Sequence, residues 1–159
     1  MKKAKKGSML KYYLLSSLVF LSDQFVKIQA IKLVTDEQFI KINSYLYLVH
    51  FKNQGASFSF LSDAGGWQRY FLSVVASIAS VFIIFMIKKN KENICLALGL
   101  SLILGGALGN LYDRISLGHV TDFLYFHFNE FYWPAFNIAD SAITIGAAII
   151  IYESIFKKK

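Results

Sequence analysis

Between Gly105 and Asp140 the chain sets the aspartates Asp113, Asp122 and Asp140 and the asparagines Asn110 and Asn137 next to long apolar runs. Ionisable groups in or beside hydrocarbon are costly, so several together mark a functional site by default. Three uses compete for them. The structural one makes Asp113 and Arg114 an ion pair at a helix end, with Asn137 and Asp140 at N-cap and N3 spacing. It explains neither why Asp122 lies in the intervening segment nor why asparagines accompany the acids. The second is proton-linked transport, but transporters usually show internal repeats and sites near the midplane. The third is hydrolysis by two carboxylates, in which one keeps a proton and polarises a peptide carbonyl while the other activates water. No GxSxG elbow is present, and His50, His119 and His127 do not make an HExxH zinc pattern. His119 lies three residues from Asp122 and is a candidate for tuning it, although a histidine at the interface fits as well.

The elements that must position these groups are read from hydropathy. The 159 residues are 55% hydrophobic, and about 20 mostly apolar residues suffice to cross a bilayer core. Four such spans are expected, near residues 12–33, 70–87, 94–112 and 138–156, in one membrane-embedded domain. Net charge is +7, yet the lysines cluster at Lys2–Lys11, Lys88–Lys91 and Lys157–Lys159 instead of along an aromatic-laced face, which argues against a nucleic-acid partner. The positive-inside rule makes those three segments cytoplasmic. Residues 34–69 and 113–137 are then outside, so the aspartates face the outer leaflet. A basic start and the run Tyr12–Leu21 suggest a signal peptide, but no small-residue cleavage pattern follows and Asp23 and Lys27 continue the span. Residues 1–8 read as tag or disorder, with Gly7-Ser8 before Met9 resembling a cloning scar. Cys95, the lone cysteine, is expected to serve packing.

In span one, Asp23 and Lys27 are four residues apart and share a helix face. Either they form a pair with Lys27 snorkelling outward, or Asp23 faces the bundle and hydrogen-bonds the site. Residues 39–60 read as short strands turning at Asn53-Gln54-Gly55. The following Ala56–Phe60 is small and uncharged, as for a loop pressed against the site or the bilayer. Span two carries only serines as polar members and is expected to be scaffold. Gly105, Gly106, Ala107 and Gly109 make a GxxxG surface for close helix packing. Residues 123–136 are dense in Phe, Tyr and Trp, which places them at headgroup level or makes them the wall of a groove for a lipid-bearing ligand.

Taken in order, Asp23-Gln24 with Lys27, Asn53-Gln54-Gly55-Ala56, Gly106-Ala107-Leu108-Gly109-Asn110 with Asp113-Arg114, Gly118-His119-Val120-Thr121-Asp122-Phe123 and Phe136-Asn137-Ile138-Ala139-Asp140 resemble the bacterial lipoprotein signal peptidase family, signal peptidase II. The resemblance runs from about Tyr12 to Tyr152. Two departures, Ser57 and the run Leu124-Tyr125-Phe126, bear on substrate preference.

The resemblance implies an α-helical integral membrane protein with four transmembrane helices and a small extracytoplasmic β-sheet. It implies an aspartic endopeptidase of the bacterial inner membrane that removes the signal peptide of prolipoproteins on the amino side of a diacylglyceryl-modified cysteine. Asp122 and Asp140 would be the catalytic pair. Asn53, Asn110 and Asn137 would line the site, with Gly55 beside them, Asp113 and Arg114 as a supporting pair, and Asp23 and Lys27 as the first-span motif. No metal or organic cofactor is implied. Expected partners are the lipidated prolipoprotein, membrane lipid, and a lipopeptide-mimicking inhibitor of the globomycin type. A broader intramembrane aspartic peptidase is the near alternative.

Overall fold

The structure is a computed structural model, and it describes residues 8–35, 38–55 and 65–156. Expectations for residues 1–7, for Ala56–Phe60 and for Ser57 lie outside the described residues. Four helices are long and apolar enough to cross a membrane: α1 (Leu10–Leu33), α2 (Trp67–Lys89), α3 (Ile94–Ser116) and α4 (Ile138–Phe156). At about 1.5 Å per residue each is close to or above the thickness of a bilayer's hydrocarbon core. Helices α1 and α2 start two and three residues earlier than hydropathy alone suggests, α2 and α3 end two and four residues later, and α4 matches, because the extended ends carry charged residues such as Arg69, Lys88, Asp113 and Arg114 that lower the local average.

The burial pattern of α1 is the reverse of a water-soluble helix. Leu14, Leu18, Leu21 and Phe25 are exposed, whereas Ser16, Asp23 and Lys27 are buried. That inversion suits lipid outside and polar groups satisfied within the bundle. Helix α3 is the central element, with half of its most apolar window buried, and it packs against α1, α2 and α4. Its small residues make this possible. Gly105 faces Ser16 and Val19 of α1, and Gly106 faces Ala139 of α4, so the GxxxG surface works in two directions at once. Polar contacts add to the packing: Ser16 Oγ donates to Ser101 O at 2.9 Å across α1 and α3. At the lysine-bearing end, Tyr12, Ile83, Ile87, Ala97, Leu100 and Leu104 form an apolar cluster. Cys95 is exposed on the outside of α3 and contributes nothing to that cluster, contrary to the packing expectation.

At the other end the connecting segments build an antiparallel sheet in the order β1 (Ile40–Asn43), β2 (Leu46–Asn53), β3 (Val120–Phe128), β4 (Phe131–Tyr132). The hairpin turn falls at Ser44-Tyr45, where Asn43 Oδ1 accepts the Tyr45 N–H at 2.8 Å. Asn53-Gln54-Gly55, expected as the turn, instead ends β2. The aromatic segment after residue 120 is strand, not simply an interfacial belt. Strands β2 and β3 come from different loops and join in a register that sets Phe51 opposite Asp122 and Asn53 opposite Val120. One extra β2 residue between Leu48 and Phe51 makes a bulge just before that pairing, the kind of irregularity that re-aims side chains near a site.

Candidate active site

Helix α4 begins with a reciprocal cap. Asn137 Oδ1 accepts the Asp140 N–H at 2.9 Å, and Asp140 Oδ2 accepts the Asn137 N–H at 3.4 Å, so both side chains satisfy N–H groups that a helix start leaves free. The local structural use of this pair is therefore real. It occupies only part of each side chain. Asp140 Oδ1 also accepts from Asn110 Nδ2 at 2.8 Å, and Asn137 Nδ2 donates to Asp122 Oδ1 at 2.7 Å.

Asp122 sits on β3 and is 3% exposed. Its second oxygen accepts from Asn53 Nδ2 at 3.0 Å, and Asn53 in turn is held by the Gly55 N–H, which donates to Asn53 Oδ1 at 2.9 Å. The turn-forming tendency of Asn53-Gln54-Gly55 thus serves to aim an amide at Asp122. Burial, and after it the neighbouring Asp140 charge, push the Asp122 carboxyl up to about 7. At neutral pH this group is divided between its acid and carboxylate forms. The two aspartates are bridged by Asn137, and Asn137 Nδ2 reaches Asn110 Oδ1 at 3.2 Å as well.

Behind the pair lies a buried charge cluster. Lys27 Nζ is 2.7 Å from Asp23 Oδ2, 2.9 Å from Asp113 Oδ2 and 3.0 Å from Asn110 Oδ1. Lys27 is 2% exposed, so it does not snorkel outward. Asp23 Oδ1 accepts the Ala139 N–H of α4 at 2.9 Å, which leaves one α4 N–H satisfied from α1. Gly109 is required here: a Cβ on it would stand 2.7 Å from Asp23 Oδ2. Asp113 pairs with Lys27 and not, as expected, with Arg114. Neighbours in sequence point to different sides of a helix, whereas Lys27 approaches from α1. Arg114 Nη2 donates instead to Gly55 O at 2.9 Å. Both residues nonetheless tie α3 to the sheet, because Asp113 Oδ2 also accepts the Thr121 N–H at 3.1 Å. The turn between them depends on Gly118, whose φ of 85° lets it close the end of α3 on Asp113 O.

A cavity of about 470 Å³ opens at this point. Asn53, Asn110, Arg114 and Asp140 form its polar wall, Ala107 and Phe136 part of its apolar one. Asp122 lies one hydrogen bond behind, at Asn53. A second groove, lined almost wholly by apolar atoms, shares Trp133 and Phe136 with the first and runs along the sheet past Tyr45, Phe126 and Phe131. The aromatic segment does form a groove wall, as its composition suggests.

Two residues that stand inside the sequence motifs have roles that sequence reasoning does not assign. Gln24 Nε2 donates to Asp113 Oδ1 at 2.9 Å and to Gly109 O at 3.2 Å, and its position beside Asp23 in an apolar helix was the available signal. Thr121 contributes through its backbone, which no side-chain pattern reveals. Asp122 responds to burial, Asp140, Asn53, Asn137 and Lys27, with His119 not among them; burial, and after it the Lys52 charge, pushes the His119 imidazole down from its ordinary value.

A family model described as signal peptidase (SPase) II matches residues 15–156. A lipoprotein signal peptidase of Teredinibacter turnerae is 50% identical over 151 residues, covering 94% of this chain and 90% of that protein. One of Janthinobacterium sp. is 44% identical over 149 residues, with 94% and 90% covered. Two solved bacterial membrane enzyme structures superpose with TM-scores of 0.82 and 0.80 at 27% and 28% identity. Each covers 94% of this chain, with 92% and 94% of the respective neighbour matched.

Proposed function

Because the chain belongs to the signal peptidase II family, we propose that Asp122 and Asp140 are its catalytic pair and that its substrate is the lipid-modified form of a prolipoprotein. The protein is a multi-pass membrane peptidase of the aspartic type, which removes signal peptides from prolipoproteins. The observation that carries the site assignment is Asn137, which donates its side-chain amide to Asp122 Oδ1 and its backbone N–H to Asp140 Oδ2, beside a cavity whose wall includes Asp140. Asp140 stands in the first turn of α4, where a helix start favours negative charge, whereas burial and the Asp140 charge push Asp122 up to about 7. Asp140 is therefore the base and takes a proton from water. The water oxygen attacks the peptide carbonyl carbon while protonated Asp122 passes its proton to the carbonyl oxygen, and that proton returns to Asp122 when the carbonyl re-forms. As the tetrahedral intermediate collapses, the proton gained by Asp140 passes to the leaving amine nitrogen. The C–N bond breaks.

The diacylglyceryl group of the substrate cysteine is the finer part of the proposal. Its support is an apolar groove that shares Trp133 and Phe136 with the cavity, and a lysine distribution that, by the positive-inside rule, argues for the sheet-bearing end facing the outer leaflet. The same groove and cavity would receive a globomycin-type inhibitor. Purified protein assayed by gel shift on a diacylglyceryl prolipoprotein and on its unlipidated form tests this. Cleavage of the lipidated form alone is expected. Equal cleavage of both would favour a broader intramembrane peptidase.

A further inference from the structure

Each asparagine beside the aspartates has its amide oxygen tied elsewhere, which forces the NH₂ end toward a carboxylate. For Asn53 the anchor is the Gly55 N–H, and for Asn137 it is the Asp140 N–H. Asn110 is different, because its oxygen is held by a side chain, Lys27 Nζ at 3.0 Å. An ammonium has three donors and no acceptor, so the atom of Asn110 that meets it has to be the oxygen. The other two donors go to Asp23 and Asp113. Asn137 Nδ2 also approaches this oxygen, at 3.2 Å, but it divides two hydrogens among three acceptors and lies nearest Asp122. Lys27 is thus the dedicated donor.

We infer that Lys27 is a positioning residue for the hydrolytic step: its ammonium fixes the direction of the Asn110 amide, and that direction keeps a donor on Asp140 Oδ1. The inference rests on the reading of Asp122 and Asp140 as the catalytic pair. With the amide turned over, Asn110 Oδ1 would face Asp140 Oδ1. Two acceptors 2.8 Å apart tolerate each other only with a proton between them. That proton would occupy the carboxylate that has to accept one from water. Neutralising Asp23 and Asp113 accounts for two of the ammonium's bonds and does not call for the third. The charged groups around the pair are Asp23 and Lys27 on α1, Asp113 and Arg114 on α3, Asp122 on β3 and Asp140 itself on α4.

The test uses a charge-balanced chain. Lys27, Asp23 and Asp113 sum to −1, and so does Asp113 alone in Lys27→Met/Asp23→Asn. The amide oxygen that Asp23→Asn leaves in place can still accept the Ala139 N–H. Compared with the unaltered chain, which carries the same local charge, the double variant is expected to lose about tenfold or more in kcat at neutral pH, beyond any loss in Asp23→Asn alone, with KM little changed and the acidic limb of the kcat profile moved up by about one pH unit. A folded double variant with an unmoved profile overturns the inference. So does failure of the charge-balanced chain to fold, since Lys27 would then be needed for the bundle itself. Asp122→Asn and Asp140→Asn assayed alongside keep the two claims apart. Turnover by either overturns the catalytic pair, whereas two silent variants beside an unmoved Lys27→Met/Asp23→Asn profile overturn the role of Lys27 alone.

Discussion

Asn137 donates to Asp122 Oδ1 at 2.7 Å while its own oxygen caps the first turn of α4 at the Asp140 N–H, 2.9 Å away. One side chain therefore starts a helix and ties Asp122 to the first turn that carries Asp140. Serine can supply the cap but not the bridge, so Asn137→Ser and Asn137→Ala separate the two roles. Asn137→Ser keeps the cap but loses the bond to Asp122, and is expected to lose about tenfold or more in kcat and about 1.5–3 kcal/mol of stability. Asn137→Ala should lose the same activity and a further loss of about 1 kcal/mol of stability should come with the cap. A fully active Asn137→Ser would show that the bridge does nothing for turnover.

Asp113 is bound to Lys27, Thr121 and Gln24, and Arg114 to the Gly55 carbonyl. Removing one member of a buried pair leaves the other unpaired, at a cost of about 3–5 kcal/mol, whereas losing a hydrogen bond to a charged group costs about 1.5–3 kcal/mol. Thermal unfolding of purified variants should rank Asp113→Asn below Arg114→Gln. The reverse order would mean that the Lys27 pair contributes little to holding α1 against α3.

Much of this arrangement was legible in the sequence, for identifiable reasons. The four helices announce themselves because lipid demands long apolar runs. Asp140 was visible from its N3 spacing to Asn137. The partner of Asp113 was not, because Lys27 lies on another helix and sequence adjacency favours Arg114. The hairpin was misplaced because Ser44-Tyr45 carries no glycine or proline, while Asn53-Gln54-Gly55 carries the stronger turn signal and spends it on aiming Asn53 at Asp122. Strand β3 was hidden because aromatic residues are as much at home in a sheet as at a membrane interface. That Asp122 lies one layer behind the cavity wall is tertiary information no spacing contains.

The lysine clusters predict the orientation of the bundle. In a chain with Cys95 replaced by serine, single cysteines at the exposed positions Glu92 and Glu130 should react with a membrane-impermeant maleimide from opposite sides, Glu130 from outside. Labelling of both from the same side would contradict both the span count and the placement of the site.

Asp122 titrates at about 7, raised by burial and then by the Asp140 charge. Below the ordinary carboxylate value near 3.9 both folded and unfolded forms hold the proton; between about 4 and 7 only the folded form does. This group alone therefore makes stability fall as pH rises across that window, and it gives activity an alkaline limb near the same pH. Asp140→Asn removes the second cause of the shift, so the Asp122 midpoint should move down. Carboxyl carbon NMR of ¹³C-aspartate-labelled protein in micelles would follow it. A midpoint unmoved or raised would show that the two carboxylates do not sense each other.

The central claim is that both acids are needed, one protonated and one ionised, since an amide at either place can carry out neither proton transfer. The most direct measurement is single-turnover cleavage of a diacylglyceryl prolipoprotein by purified, folded Asp122→Asn, Asp140→Asn and the double variant. Each single substitution is expected to abolish cleavage, with the double costing little more than either, because residues acting as one unit are not additive. Substantial turnover by either single variant would contradict a two-aspartate mechanism.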